Sequence, residues 1–177
     1  MTPRTRDETG ERPPGFEEAF CRLFDQEFPS LFRYLQRLTG DRDLADDLAQ
    51  EVFVRLYQRA SFPDDTRGWM GAVAHNLLRD QKRTAKRRLH LMVASPEAVT
   101  PGRPANADEN LLANERRQAV RGALDKLSER DRRMLLLRHE GYSYREIAHA
   151  LGVNETSVGT LLLRATAAFH AAFGESL

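Results

Sequence analysis

The side chains best suited to recognition chemistry fall in two runs of opposite sign. Between Arg79 and His90 six lysines or arginines stand against one aspartate, and between Asp41 and Glu51 five carboxylates stand against one arginine. Such segregation, in a chain whose formal net charge is only +1, implies two partners of opposite charge. Catalytic chemistry has no comparable footing. There is no glycine-rich phosphate loop and no His-Glu-x-x-His; His139-Glu140 lacks a second histidine. Cys21 is the single cysteine, so an internal disulfide or a multi-thiolate metal site is excluded, and core packing is its expected role. No catalytic residue, metal or cofactor is expected, and a cytoplasmic protein is.

These runs must be carried by helices. In the 177-residue chain, 41% hydrophobic and 30% charged, apolar residues recur at helical spacing: Phe16, Ala19, Phe20, Leu23 and Phe24, then Leu31, Phe32, Leu35 and Leu38. Pro29 is expected to kink or restart this helix. After the turn Thr39-Gly40-Asp41, a second stripe of Leu44, Leu48, Val52, Phe53 and Leu56 leaves Asp43, Asp46, Asp47 and Glu51 mostly outside it, giving an amphipathic helix with an acidic face. A third helix carries Trp69, Met70, Val73, Ala74, Leu77 and Leu78 before turning basic; Trp69 has the form of a strand-separating wedge, but its place on the stripe favours the core. No strand alternation appears in this half, and no run approaches the roughly 20 apolar residues of a membrane span.

From about Val93 to Asp108 three prolines and a glycine interrupt any apolar period, which predicts an extended linker. Helical pattern resumes with Leu111, Leu112, Val120, Leu124 and Leu127. Ser128 and Ser143, each with a carboxylate three residues on at Asp131 and Glu146, mark two helix starts. The expected fold is therefore all-α: a tail over 1–15, a helical domain over 16–92, a linker over 93–108 and a second domain over 109–177.

Within that second domain, Tyr144 to Leu163 has the pattern of a helix-turn-helix. Ile147, Ala148, Leu151, Val153, Val158 and Leu161 have the spacing that locks two short helices at a steep angle, Gly152 makes the turn, and Asn154 caps the second helix, which would enter a major groove.

Three motifs in order, DRDLADDLAQEVFVRLYQ, RGWMGAVAHNLLRDQKR and LDKLSERDRRMLLLRHEGYSYREIAHALGV, resemble the extracytoplasmic-function sigma factors of bacterial RNA polymerase, over about Phe16 to Phe173. The resemblance implies that Asp47, Gln50, Glu51, Phe53 and Tyr57 face the core polymerase. Periodicity leaves the alternative that Phe53 and Tyr57 are internal. It implies that Ser61, Phe62, Asp64 and Asp65 form a loop pocket for an unstacked base of the minus-ten element, and that Asn76 reads a base edge. Arg79, Lys82, Arg83, Lys86, Arg87 and Arg88 would track phosphates, and His75 is unassigned. In the second domain Arg145, Asn154, Thr156, Ser157, Thr160 and Arg164 would contact the minus-thirty-five element. Arg130, Arg132, Arg133 and Arg138 would hold the DNA backbone beside them.

That last helix departs from the family pattern, because Arg164 is the single formal cation between Asn154 and His170. Its run Leu161 to Leu163 also leaves at least one leucine outside a single stripe, open to a protein partner. The expected partners are core polymerase, promoter DNA and an anti-sigma factor. The competing readings are a helix-turn-helix regulator acting without polymerase and a sigma-like regulator that reads no full promoter.

Overall fold

The computed structural model describes residues 12–92 and 111–174; the region expected to form the linker lies outside them, as does nearly all of the amino-terminal segment. The described chain forms seven helices: α1 (Phe16–Thr39), α2 (Arg42–Arg59), α3 (Thr66–Met92), α4 (Leu111–Asp125), α5 (Glu129–His139), α6 (Tyr144–Leu151) and α7 (Glu155–Gly174).

Local chemistry sets most of the boundaries. Gly40 takes a left-handed φ of 71° and its N–H closes on the Gln36 carbonyl, ending α1. Asp41 then starts α2 by accepting from the N–H groups of Asp43 and Leu44 at 3.0 and 3.1 Å. Asp65 does the same for α3, taking the Gly68 N–H at 2.9 Å. The Ser128 hydroxyl accepts from Asp131 N at 3.1 Å. At Ser143 the full reciprocal box forms, with Glu146 Oε2 accepting the Ser143 N–H at 2.6 Å.

Two expectations need correction. α1 does not restart at Pro29 but is one helix across it; the proline is exposed, and Phe28 and Phe32 on either side of it stack with ring centroids 6.3 Å apart. Cys21 is exposed rather than part of the core.

Leu31, Leu35, Ala49, Val52, Leu56, Met70 and Ala74 are fully buried in the first half, as are Met134, Leu137, Ile147 and Val158 in the second. Each such aliphatic side chain contributes roughly 1.5–3 kcal/mol of transfer free energy. The buried residues of both halves form one contiguous cluster. The halves are thus not merely tethered: α3 packs along α6, and α1 touches α5.

Candidate nucleic-acid and protein interfaces

The acidic helix α2 has a buried face and a free one. Asp47 and Gln50 are exposed and Glu51 is half-exposed. Gln50 Nε2 donates to Asp46 Oδ2 at 2.6 Å and Arg55 Nε donates to Glu51 Oε1 at 2.8 Å, so one-turn links orient these side chains without burying them. Phe53 stands apart from them. It is 2% exposed, with ring centroids of Phe24, Phe28 and Phe20 at 4.9, 5.9 and 6.1 Å. The structure thus gives Phe53 to the core and not to an outward face. Tyr57 is half-covered: the Arg12 guanidinium lies 3.7 Å from its ring centroid, and its hydroxyl donates to Glu17 Oε1 at 2.9 Å while accepting from Arg12 at 2.7 Å. The Glu17 hydrogen bond holds that phenol above its ordinary pKa.

In the loop before α3, Ser61 and Asp64 are exposed, while Phe62 stacks on Phe16 with centroids 5.0 Å apart. Asp65 does not join an open pocket. One carboxylate oxygen caps α3 and the other meets His149 Nδ1 at 2.8 Å. Along α3, Asn76, Arg79, Arg83 and Arg87 are all exposed. Steps of three and four residues place them in one stripe, joining a base-reading amide to three phosphate-seeking cations. Lys82 lies beside that stripe and pairs with Glu129 of α5 at 3.0 Å. The side chains of Lys86 and Arg88 lie outside the described residues. Trp69 is partly buried against the core cluster, as its stripe predicts. His75 is half-buried against the Arg133 guanidinium; burial first, and the Arg133 charge second, hold it below the usual histidine pKa.

The helix-turn-helix forms, with Leu162 and not Leu161 as the buried leucine of α7, while Leu151, Val153 and Leu161 pack partly buried against the core. Ile147, Ala148, Val158 and Leu162 are buried, and Gly152 closes α6 at φ 66°. Asn154 Oδ1 accepts from the Thr156 N–H at 3.1 Å and from its hydroxyl at 2.9 Å, opening α7. Thr156, Ser157, Thr160 and Arg164 are exposed on α7, and Arg145 is exposed on α6. Leu163 is the leucine left outside the stripe, 72% exposed. Arg132 and Arg133 turn inward instead of toward a DNA backbone: Arg132 pairs with Asp125 at 2.7 Å and Arg133 with Glu129 at 2.8 Å. Arg138 donates to the Tyr142 carbonyl at 3.2 Å.

Three residues with no expected role prove central. Arg67 donates to Glu27 Oε2 at 2.7 Å and to the carbonyls of Glu140 and Gly141, both at 3.3 Å. Its guanidinium covers the ring of the fully buried Tyr142. The Glu140 carboxylate, its side chain 3% exposed, receives both Arg33 and Arg37 of α1. Spacing could not show these pairings, since each joins residues more than seventy positions apart except Arg67–Glu27, which spans 40.

Residues 23–88 match the family model for sigma-70 region 2, and residues 117–168 match that for sigma-70 region 4. Over 145 residues the chain is 31% identical to the ECF RNA polymerase sigma factor SigL of Mycobacterium tuberculosis, covering 79% of this chain and 80% of that protein. The chain belongs to the ECF sigma factors. A further relative, the sigma factor YlaC of Bacillus subtilis, is 30% identical over 81% of this chain and 85% of its own length. Among solved structures, the sigma factor RpoE of Bartonella quintana, crystallised with the anti-sigma factor NepR, shares the fold with a TM-score of 0.67 at 20% identity, over 89% of this chain and 98% of that one. This sigma factor is a promoter-recognising subunit of RNA polymerase in transcription initiation, and its helix-turn-helix lies within the region 4 match.

Proposed function

We propose a division of labour among the exposed faces. The α2 face of Asp47, Gln50 and Glu51, with the open edge of Tyr57, docks on a basic surface of core polymerase. Charge sets the encounter, and packing around Tyr57 adds affinity that rim charges do not supply. The α3 stripe, with Ser61, Phe62 and Asp64 at its head, engages the minus-ten element. Asn76 reads a base edge while Arg79, Arg83 and Arg87, joined by Lys82, neutralise phosphates. Arg145, Asn154, Thr156, Ser157, Thr160 and Arg164 meet the minus-thirty-five element with little charge and much hydrogen bonding. Residues 16–92 and 109–177 are the two working domains and 93–108 the connector.

The observation that carries this reading is the exposed stripe Asn76-Arg79-Arg83-Arg87, a base-reading amide continued by cations along one edge of α3. The protein works by binding, without a catalytic centre of its own, in the cytoplasm at the nucleoid. An anti-sigma factor is a fitting further partner, as NepR is for RpoE; Leu163 is an apolar surface for it to cover. Reconstituted transcription from a genomic promoter library tests the assignment. Initiation should depend on the added chain and fall when Asn76→Ala is combined with Arg83→Ala. Undiminished initiation by that folded variant refutes the α3 assignment.

A further inference from the structure

Apart from the faces assigned above, the molecule holds a cavity of about 310 Å³ whose walls come from α1, α2, α3, α4 and α5. Leu38, Leu44 and Leu78 line its apolar part, while Arg37, Lys82, Arg121 and Arg132 bring four cations to the rest. Asp125 is the one carboxylate in that wall. An apolar hollow of roughly 300 Å³ with a few convergent polar groups has the form of a small-molecule site.

The positive charges of this wall are only partly cancelled by their neighbours. Glu140 is shared between Arg33 and Arg37, and Glu129 between Lys82 and Arg133, so each of these carboxylates leaves one cation over. Arg132 pairs with Asp125 at 2.7 Å, yet its Nε is buried without a hydrogen-bond partner. Arg121 pairs with no carboxylate among the described residues, and its guanidinium lies over Gly40, where a Cβ would collide with it. Gly40 therefore serves twice: it ends α1 at a left-handed φ of 71° and leaves Arg121 room to reach the cavity wall. Burial first, and the Arg33 charge second, hold the Arg37 guanidinium below its ordinary pKa, a shift that a bound anion would reverse.

Cations set beside leucines restrict what can fill the space. A lone inorganic anion would leave the apolar wall bare. A fatty acid has one carboxylate for the whole group of cations. Duplex DNA offers phosphates with its bases turned inward, and so no flat apolar body to insert. A planar ring joined to phosphates satisfies both parts of the wall.

We propose that this cavity binds a nucleoside diphosphate. The base lies against Leu38, Leu44 and Leu78, and the Gln81 amide, which both donates and accepts, takes one edge of it. The phosphates lie among Arg37, Arg121 and Arg132, whose planar guanidinium forks suit phosphate oxygens. A phosphate monoester carries about −1.5 to −2 charges near neutral pH, so two linked phosphates offset the surplus of cations. Lys82 is the one wall residue also assigned above to promoter phosphates, and the site stands whether or not that assignment does.

Titration calorimetry on the full chain, without polymerase or DNA, tests the site with ADP, GDP and inorganic pyrophosphate. At least one nucleotide should bind with a Kd below about 1 mM, about ten-fold or more tighter than pyrophosphate, and should raise Tm as its concentration rises. Arg121→Glu replaces an exposed cation of the wall, and should weaken binding by about ten-fold or more, the worth of one charge-assisted hydrogen bond. Ala85→Trp, at an exposed wall position of α3, should weaken it comparably by filling the space. If either variant loses helical circular dichroism, Arg121→Ala or Ala85→Leu takes its place. Absence of binding by both nucleotides, pyrophosphate binding as tightly as they do, or affinity unmoved in the folded variants overturns the proposal.

Discussion

Alanine at Gly152 and alanine at Gly159 should move stability in opposite directions, although the two positions lie within the same helix-turn-helix. At Gly152 the backbone is left-handed, φ 66°, and no atom lies within 4 Å of a built Cβ, so the whole penalty is conformational. A residue with a Cβ costs about 1–2 kcal/mol in that region, offset by about 0.4–1 kcal/mol from stiffening the unfolded chain. The net is about 1 kcal/mol of destabilisation. At Gly159 the backbone is in α7, and a Cβ meets only Tyr144 Cε2, at 3.4 Å. Helix propensity should then return up to about 1 kcal/mol. Thermal and urea melts followed by circular dichroism at unchanged m-value measure both. Each kcal/mol moves Tm by about 4–8 °C if the second half unfolds alone, or about 2–4 °C if both halves unfold as one unit. Loss of stability in Gly159→Ala would mean that the Tyr144 ring cannot yield. A neutral Gly152→Ala would refute the cap as the stop of α6.

Phe53→Ala should cost about 3–5 kcal/mol because the ring is 2% exposed. Gln50→Ala with Glu51→Ala should weaken capture of core polymerase while moving stability by less than about 0.5 kcal/mol; a pull-down and a melt of each variant distinguish the roles. In holoenzyme, Lys82→Ala with Arg83→Ala should lower the salt slope of promoter affinity by roughly one unit for each phosphate no longer neutralised. Ser157→Ala or Thr160→Ala should instead alter preference in the upstream element at constant slope. The contact of His75 with Arg133 should make stability respond to pH. Because His75 is held below its ordinary pKa by burial and Arg133, the folded chain binds fewer protons there than the unfolded one, so acidification destabilises the fold. This contribution should be complete above about pH 6.5 and weaken as pH falls through the window below it. Thermal melts at falling pH should show this, and His75→Gln should abolish it; Glu129, Arg79 and Lys82 are the other charges facing the ring.

The helices and the helix-turn-helix were readable in the sequence because their causes are local. Caps at Asp41, Ser128 and Ser143 act over three residues, and stripes such as Leu48-Val52-Leu56 repeat at a fixed period. That the polar residues of α3 and α7 would be exposed was legible for the same reason. Phe53 was not, since it sits where the acidic and buried faces of α2 meet and only the aromatic residues arriving from α1 decide its side. Cys21 shows the reverse, an apolar-period position that no neighbour covers. Glu140, Arg67 and Tyr142 carry no local mark, because their partners lie on elements that meet only after the halves dock. Arg132 and Arg133 looked like DNA ligands although their acidic partners are near in sequence, Asp125 seven residues back and Glu129 one turn back, because charge alone does not say whether an arginine bonds inward or outward.

The close packing of α3 on α6 has a consequence for solubility. Parting the halves would bare Tyr142, Ala150 and the flat face around Gly71 together, an apolar patch that promotes self-association when left uncovered. A chain that opened spontaneously would be prone to sticking to its own copies before finding polymerase. Packing α6 against α3 keeps these groups out of water, so a substitution that spoils the fit at Gly71 should show itself as aggregation before it shows as lost helix.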